Sequence, residues 1–308
     1  MIAGATQTEV VDALVMIEPR RATAEELERV HPASYLGAIE RFCASGGGRV
    51  DDDTAANEAS WDAATLAAGA GVTSIEALDR GEGDAAFCAV RPPGHHATPS
   101  RAMGFCLVNN VAVAAAALAA RGEKVLIVDF DAHHGNGTQD IFYADPRVFY
   151  ASFHEWPLYP GTGRLSERGR EAGEGTNLNF PLPEGATGDV YLRGIDEVLA
   201  PLAERFAPTW LLLSAGFDAH RRDPLTGLSL SAGDFGVITE RLCQFAPAGR
   251  RLVFLEGGYD LQALADSAAA SLGALAGIRH RPEAPTSGGP GTEVVDAAHQ
   301  LWSEVGAL

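Results

Sequence analysis

Hydrophobic and polar positions change their period along the chain. Residues 23–42 and 54–78 are alanine-rich, with apolar positions at helical spacing behind polar starts, which predicts two helices. Residues 44–53 between them, rich in glycine and aspartate, read as a loop. Beyond this point the apolar runs shorten. Runs at 85–90, 125–130, 148–153, 210–214 and 252–255 predict strands, and helical patterns at 108–120, 138–143, 189–205, 232–245 and 261–276 separate them. Strand alternating with helix predicts an α/β fold with a mainly parallel central sheet covered by helices on both faces. The Gly-, Pro- and Glu-rich residues 159–188 read as a functional loop over the sheet edge, and 279–291 as a surface linker before a last short helix. With no internal repeat and no evident boundary, residues 1–308 are taken as a single domain.

The strand ends carry the chemistry. Val125 to Val128 is wholly apolar, yet it leads into Asp129, Asp131, His133 and His134. Buried polar groups are costly unless paired or metal-bound, so this stretch reads as part of a site. Parallel α/β sheets place ligands beyond the carboxyl ends of their strands, and polar clusters follow all five predicted strands. Asp131 and His133, two apart on extended chain, can share one side and hold one ion. Asp218 from another strand end would complete three ligands, the number a catalytic zinc keeps while leaving a position open. Taken alone, D-x-H is equally a capped loop with a hydrogen-bonded histidine.

Gly94 to His96 supplies two imidazoles, the usual acid and base groups near neutral pH. Asp129 and Asn136 flank the proposed ligands and can each orient one of these rings. Tyr259, after Gly257 and Gly258, would bring a phenol inward to stabilise an oxyanion. Separately, these residues also read as strand-end caps and a half-buried tyrosine after a turn. His134 receives no role beyond packing or a hydrogen bond.

Five segments, "RPPGHHA", "GFCLVNNVAVAA", "VDFDAHHGNGTQDIFY", "SAGFDAHRRDPLTG" and "LEGGYDL", occur in this order. Over about residues 23–276 the chain resembles the histone deacetylase family of the arginase/deacetylase superfamily, nearest the class II deacetylases and acetylpolyamine amidohydrolases. The resemblance implies an arginase/deacetylase-like fold and a zinc-dependent amidohydrolase that removes acyl groups from an amine such as the lysine side chain. It implies Asp131, His133 and Asp218 as ligands of one zinc. In the implied chemistry zinc polarises the carbonyl and its water, His96 takes the water proton and returns it to the leaving amine, and His95 gives electrostatic support. Tyr259 then hydrogen-bonds the oxyanion. Phe105 and Tyr159 resemble the aromatic walls of an acyl-lysine tunnel, with Gly104 and Leu225 also beside the substrate. Potassium is implied near Asp129, Asp131, His133, Ser152 and Phe153, and a second potassium near Phe142 and Val148.

Three departures bear on substrate. Asn136 stands where some relatives carry Asp. The usual early His-Pro-Glu segment is missing, so one rim loop is expected to be absent, shortened or lost to a misplaced start. Leu225 occupies a gate position where polyamine-selective relatives carry Glu, which leans towards acyl-lysine or a neutral substrate, with an acetylpolyamine or other small-molecule amidohydrolase as the alternative. A dinuclear manganese ureohydrolase is a weaker reading, because Gly135 and His220 stand where a second metal would need carboxylates. A catalytically inactive acyl-group binder would have no need of His95, His96 and Tyr259 together. Neither G-x-S-x-G nor a P-loop occurs.

Composition narrows this picture only at its edges. The formal net charge of -18 argues against nucleic acid and permits a cationic substrate, though acidic surfaces also serve solubility. No apolar run of spanning length and no leader-like start suggest a cytoplasmic protein without a membrane partner. Cys43, Cys88, Cys106 and Cys243 have no C-x-x-C pairing and read as buried free thiols. Self-association is left open.

Overall fold

A computed structural model describes residues 9–308. Its centre is a six-stranded sheet: β3 (Ala86–Cys88), β4 (Val125–Asp129), β5 (Val148–Glu155), β6 (Asn177–Leu182), β7 (Trp210–Ala215) and β8 (Arg251–Leu255). A two-residue pair, β1 (Gly48–Arg49) and β2 (Ala55–Ala56), stands apart and is antiparallel. The central order is β3-β8-β7-β4-β5-β6, and every neighbouring pair is parallel. The all-parallel pattern requires both faces to be covered, and the strand residues alternate accordingly. Leu126, Val128, Leu211 and Leu213 enter one core with helices Ala232–Leu242, Leu261–Leu275 and Thr292–Glu304. Val125, Ile127, Trp210 and Leu212 enter the other with helices Ala33–Ala44, Ser60–Asp79 and Asn110–Ala120. Such runs look continuously apolar in sequence because both alternating sets are buried.

The topology selects the location of the site. After β4 the chain moves outward to β5 and β6, then returns to lay β7 on the other side of β4 before moving to β8. Connections leave β4 and β7 in opposite directions, which opens a crevice between their carboxyl ends. Asp131 and His133 follow β4, and Asp218 follows β7.

Three sequence expectations need correction. Residues 159–188 are more than a loop, because they contain the sixth strand, β6, at the sheet edge. The expected helix over 23–42 is two helices, Ala24–Glu28 and Ala33–Ala44, broken ahead of Pro32, whose ring disfavours helical backbone before it. The second expected helix begins at Ser60 rather than at Thr54, whose hydroxyl instead accepts a hydrogen bond from Phe105 N at 3.0 Å.

Residues 279–291 are tethered to the domain before helix Thr292–Glu304 begins. Glu283 meets His220 Nε2 at 2.8 Å and Ala232 N at 2.8 Å, while Thr286 N and Oγ1 donate to Asp234. Several helices start on the side-chain caps that satisfy their first free N–H groups. Asn109 accepts from Ala112 N, Asp260 from Ala263 N, and Ser231 forms a reciprocal capping box with Asp234. Among the described residues no helix is long and apolar enough to cross a membrane. All four cysteines are buried and unbridged.

One buried histidine predicts how stability follows pH. His154 on β5 accepts at Nδ1 from Ser152 Oγ at 2.9 Å and donates from Nε2 to Gly163 O at 3.0 Å, a pattern that suits the neutral ring. Burial lowers its pKa from 6.5 to about 3. Between these values the unfolded chain binds a proton that the folded chain refuses, so stability is lost as pH falls through this window. The expected loss is about 1.4 kcal/mol per pH unit from this residue. Urea unfolding at pH 6.5 and 4.5 checks it, and His154→Asn should flatten the dependence by that amount.

Candidate active site

The donor cluster is built from two strand ends. His133 Nδ1 lies 3.1 Å from Asp131 Oδ1 and 3.1 Å from Asp218 Oδ2. One ligand atom from each of these residues falls within 4.8 Å of the others, and no other group of three acid, histidine or cysteine donors does so among the described residues. Backbone N–H groups aim the carboxylates: Gly257 N and His133 N donate to Asp131 at 2.8 Å each, and Ala132 N donates to Asp218 at 2.9 Å. Both carboxylates are fully buried. Burial, then the neighbouring charge of Asp131, pushes Asp218 up to about 6. His133 is also pushed up, to about 11, because hydrogen bonds and charge from both aspartates outweigh the lowering effect of burial. Two buried carboxylates facing one imidazole form an anionic nest of oxygen and nitrogen donors, which suits a divalent ion such as zinc.

Gly257 shows how tightly this nest is packed. A Cβ there would lie 2.1 Å from Asp218 Oδ2 and 2.8 Å from Asp131 Oδ2, so any side chain would displace both carboxylates. Gly257→Ala is expected to weaken metal binding by about 10- to 100-fold, the range seen when the groups supporting metal ligands are disturbed. Competition with a chromophoric chelator measures it, and unchanged affinity would refute it.

The tandem histidines sit beside the cluster on the loop after β3. Their rings are 4.0 Å apart, and the His96 ring is 6.0 Å from that of His133. His95 Nδ1 is 3.0 Å from Asp129 Oδ2, which also accepts from Tyr150 Oη at 3.1 Å. His96 Nδ1 is 2.8 Å from Asn136 Oδ1, while Asn136 Nδ2 points to Met103 Sδ at 3.5 Å. That orientation of the amide makes Nδ1 of His96 the protonated nitrogen and leaves Nε2 as an acceptor. The two rings are therefore electrically unlike. Burial opposes a charge on His95, but Asp131, Asp129 and Glu256 outweigh it and hold the pKa at about 10. Burial and the adjacent His95 hold His96 well below the ordinary histidine value.

Gly104 packs against His96, for its Cβ would fall 2.3 Å from the ring, and its positive φ of 57° favours glycine independently. Phe105 and Tyr159 stand partly exposed at the rim. The Tyr159 ring meets His96 edge-on at 5.2 Å and lies 6.3 Å from His133, while Phe105 lies 6.3 Å from Tyr259. Burial, then Asp218 and Asp131, raises the Tyr259 hydroxyl above the ordinary tyrosine value, so it stays a donor. Leu225 is half exposed. Of the residues tied by resemblance to potassium, Asp129 at the carboxyl end of β4 is the register partner of Ser152 within β5, with Phe153 next along β5. Phe142 and Val148 lie buried at the end of helix Asn136–Phe142 and the start of β5. His134 is buried and bonded to Thr162 Oγ1 at 2.7 Å and Gln139 Oε1 at 3.0 Å.

Two acids were not picked out from sequence. Asp223 accepts from Tyr259 N at 2.8 Å and from Leu225 N at 2.9 Å, joining the phenol segment to the rim. Glu256, at the end of β8, accepts from Gly94 N and His95 N. Its signal was available, since it follows the apolar run Leu252–Leu255 just as Asp129 follows Val125–Val128.

Fold and site together define a class: an α/β protein whose parallel sheet carries an Asp, His, Asp donor cluster and paired imidazoles at the crevice beyond its strand ends. The chain belongs to the histone deacetylase family, whose histone deacetylase domain profile matches residues 1–275. It is 42% identical to histone deacetylase 10, chloroplastic, of Oryza sativa subsp. japonica, an alignment covering 83% of this chain and 61% of that protein. It is 40% identical to a probable deacetylase of Archaeoglobus fulgidus (82% and 71% covered) and 38% identical to the histone deacetylase-like amidohydrolase of Pseudomonas aeruginosa (84% and 70%). The crystal structure of the HDA15 HD domain superposes with a TM-score of 0.90 at 37% identity, covering 98% of this chain and 85% of that one.

Proposed function

We propose that this chain is a zinc-dependent deacetylase that hydrolyses the amide of an acylated amine, with acetyl-lysine or a related acyl-lysine as the substrate class. The observation that carries this reading is His96, its Nδ1 held 2.8 Å from Asn136 Oδ1, standing beside the Asp131, His133 and Asp218 cluster. Zinc held by those three residues would supply Lewis-acid polarisation of the amide carbonyl. His96 Nε2 takes a proton from the attacking water and later delivers it to the leaving amine, which must depart protonated. His95, hydrogen-bonded to Asp129, supplies positive charge next to the reacting atoms. The Tyr259 hydroxyl donates to the oxygen that becomes negative in the tetrahedral state. Phe105 and Tyr159 offer ring surfaces to an aliphatic chain, and Leu225 adds an apolar contact at the rim. Potassium near Asp129, Asp131, His133, Ser152 and Phe153, with a second ion near Phe142 and Val148, belongs to the same proposal.

The test is a hydrolysis screen of zinc-loaded protein against acetyl-lysine peptides, longer acyl-lysines and acetylpolyamines, with metal content measured alongside. Turnover of acyl-lysine at one zinc per chain is the expected result. Activity on acetylpolyamines alone would move the substrate class and overturn the reading of Leu225. Two tightly held manganese ions would point instead to a dinuclear hydrolase.

A further inference from the structure

We propose that Glu256 is a positioning residue for catalysis: by gripping the main chain of Gly94 and His95, it sets the two imidazoles against the donor cluster. The proposal rests on the hydrolase reading above for its kinetic consequences, though not for its geometry.

Glu256 is completely buried, and an unpaired carboxylate there would be strongly destabilising. Its contacts account for it. Oε2 accepts from Gly94 N at 2.7 Å and His95 N at 3.1 Å, and Oε1 accepts from Ser214 Oγ at 3.1 Å. The main chain of the same residue extends the grip: Glu256 N donates to Ala215 O at 3.0 Å, and Glu256 O accepts from the Arg91 guanidinium at 3.0 Å. One residue therefore bonds to the end of β7 and to the histidine loop at Arg91, Gly94 and His95.

Other bonds also hold this loop: Thr138 N donates to His95 O at 3.2 Å, and Asn109 Nδ2 donates to Ala97 O at 3.2 Å. Asn110 Nδ2 donates to Pro92 O at 3.0 Å, and Ala97 N closes a turn onto Gly94 O. Gly94 is pressed onto the following helix, since a Cβ would lie 2.4 Å from Asn110 N. Asp129 and Asn136 set the rotation of the rings, Thr138 N holds the His95 carbonyl, and Glu256 is the group that holds the N–H groups of both Gly94 and His95. A shift of about 1 Å in a reacting group can cost about 100-fold in rate.

The geometry also distinguishes the acceptor from its charge. In Glu256→Gln the amide oxygen can accept from both N–H groups, and the amide nitrogen can donate to Ser214 Oγ, whose hydroxyl rotates to receive it. In Glu256→Ala both N–H groups lose their acceptor. In Glu256→Asp the carboxylate is drawn back by one methylene.

The experiment compares the three variants with the parent in zinc-loaded form, by steady-state kinetics on the best substrate of the screen and by hydrogen exchange at Gly94 and His95. Glu256→Ala is expected to lower kcat by about 100-fold with KM changed less than about threefold and zinc content unchanged. Glu256→Gln should recover at least about tenfold of that loss. Exchange at the two amides should accelerate in Glu256→Ala and remain slow in Glu256→Gln. If the alanine variant fails to fold, Glu256→Asp takes its place, with the same order of rates and exchange expected against Glu256→Gln. A glutamine variant as slow as the alanine or aspartate variant, or unchanged exchange at both amides, would overturn the proposal. Should the parent hydrolyse none of the substrates, the function proposed above fails, and the exchange comparison still decides whether Glu256 holds the loop.

Discussion

Asp218→Asn is expected to abolish hydrolysis by removing zinc while making the metal-free protein more stable, two effects of opposite sign from one substitution. With metal bound, the aspartate is one of two buried negative charges around the ion. Breaking a buried charge pairing costs about 4 kcal/mol, or about 1000-fold in affinity. Without metal the same charge is a burden, because burial and Asp131 push its pKa from 3.8 to about 6. A carboxylate whose pKa is raised by folding favours the folded state below pH 3.8 and loses that advantage as pH rises through about 6. The neutral amide avoids the loss. Chelator competition should therefore show weaker zinc binding, and thermal melts of metal-free protein above pH 6 should show a higher Tm for the variant, a difference that shrinks towards pH 4. Undiminished zinc affinity would contradict the assignment of Asp218 as a ligand, and a lower metal-free Tm would contradict the cost assigned to its buried charge.

The second large effect is expected at His96. His96→Ala should lower kcat by about 1000-fold, within the range for loss of a positioned acid or base, with zinc content unchanged. Asn136→Ala, which leaves the ring present but free to rotate, should lose about 10- to 100-fold. This order separates the proton carrier from its orienting group. A zinc-loaded His96→Ala enzyme within about tenfold of the parent would show that another group moves the proton.

Much of this arrangement was legible in the chain, and for a physical reason. Strands buried on both faces are short apolar runs, and a run such as Val125–Val128 that ends in carboxylates and imidazoles announces a site because burial of those groups must be compensated. The sheet and the residues of the donor cluster could be read from this pattern, aided by the family resemblance. Strand β6 escaped notice because it is an edge strand. Leu178, Phe180 and Leu182 do alternate with Asn177, Asn179 and Pro181, but the run is short, lies within a Gly-, Pro- and Glu-rich stretch, and includes Pro181, which lacks the N–H that a central strand would need. The tether at 279–291 and the grip of Glu256 on the histidine loop escaped for another reason. Glu283 meets His220 across 63 residues, and Glu256 meets His95 across 161, and local period carries no information at such separations.

The placement of β7 between β4 and β8 has a kinetic meaning. Asp131 and His133 have been synthesised long before Asp218, and Ala132 and Asp218 meet across 86 residues. The third donor arrives only when β7 docks beside β4, a non-local pairing that is slow to form in parallel sheets. A nascent or partly unfolded chain thus offers two ligands and binds metal weakly. On the proposed reading, metal uptake would become a timestamp for completion of the sheet centre, and in refolding it should follow β7 docking instead of nucleating the fold.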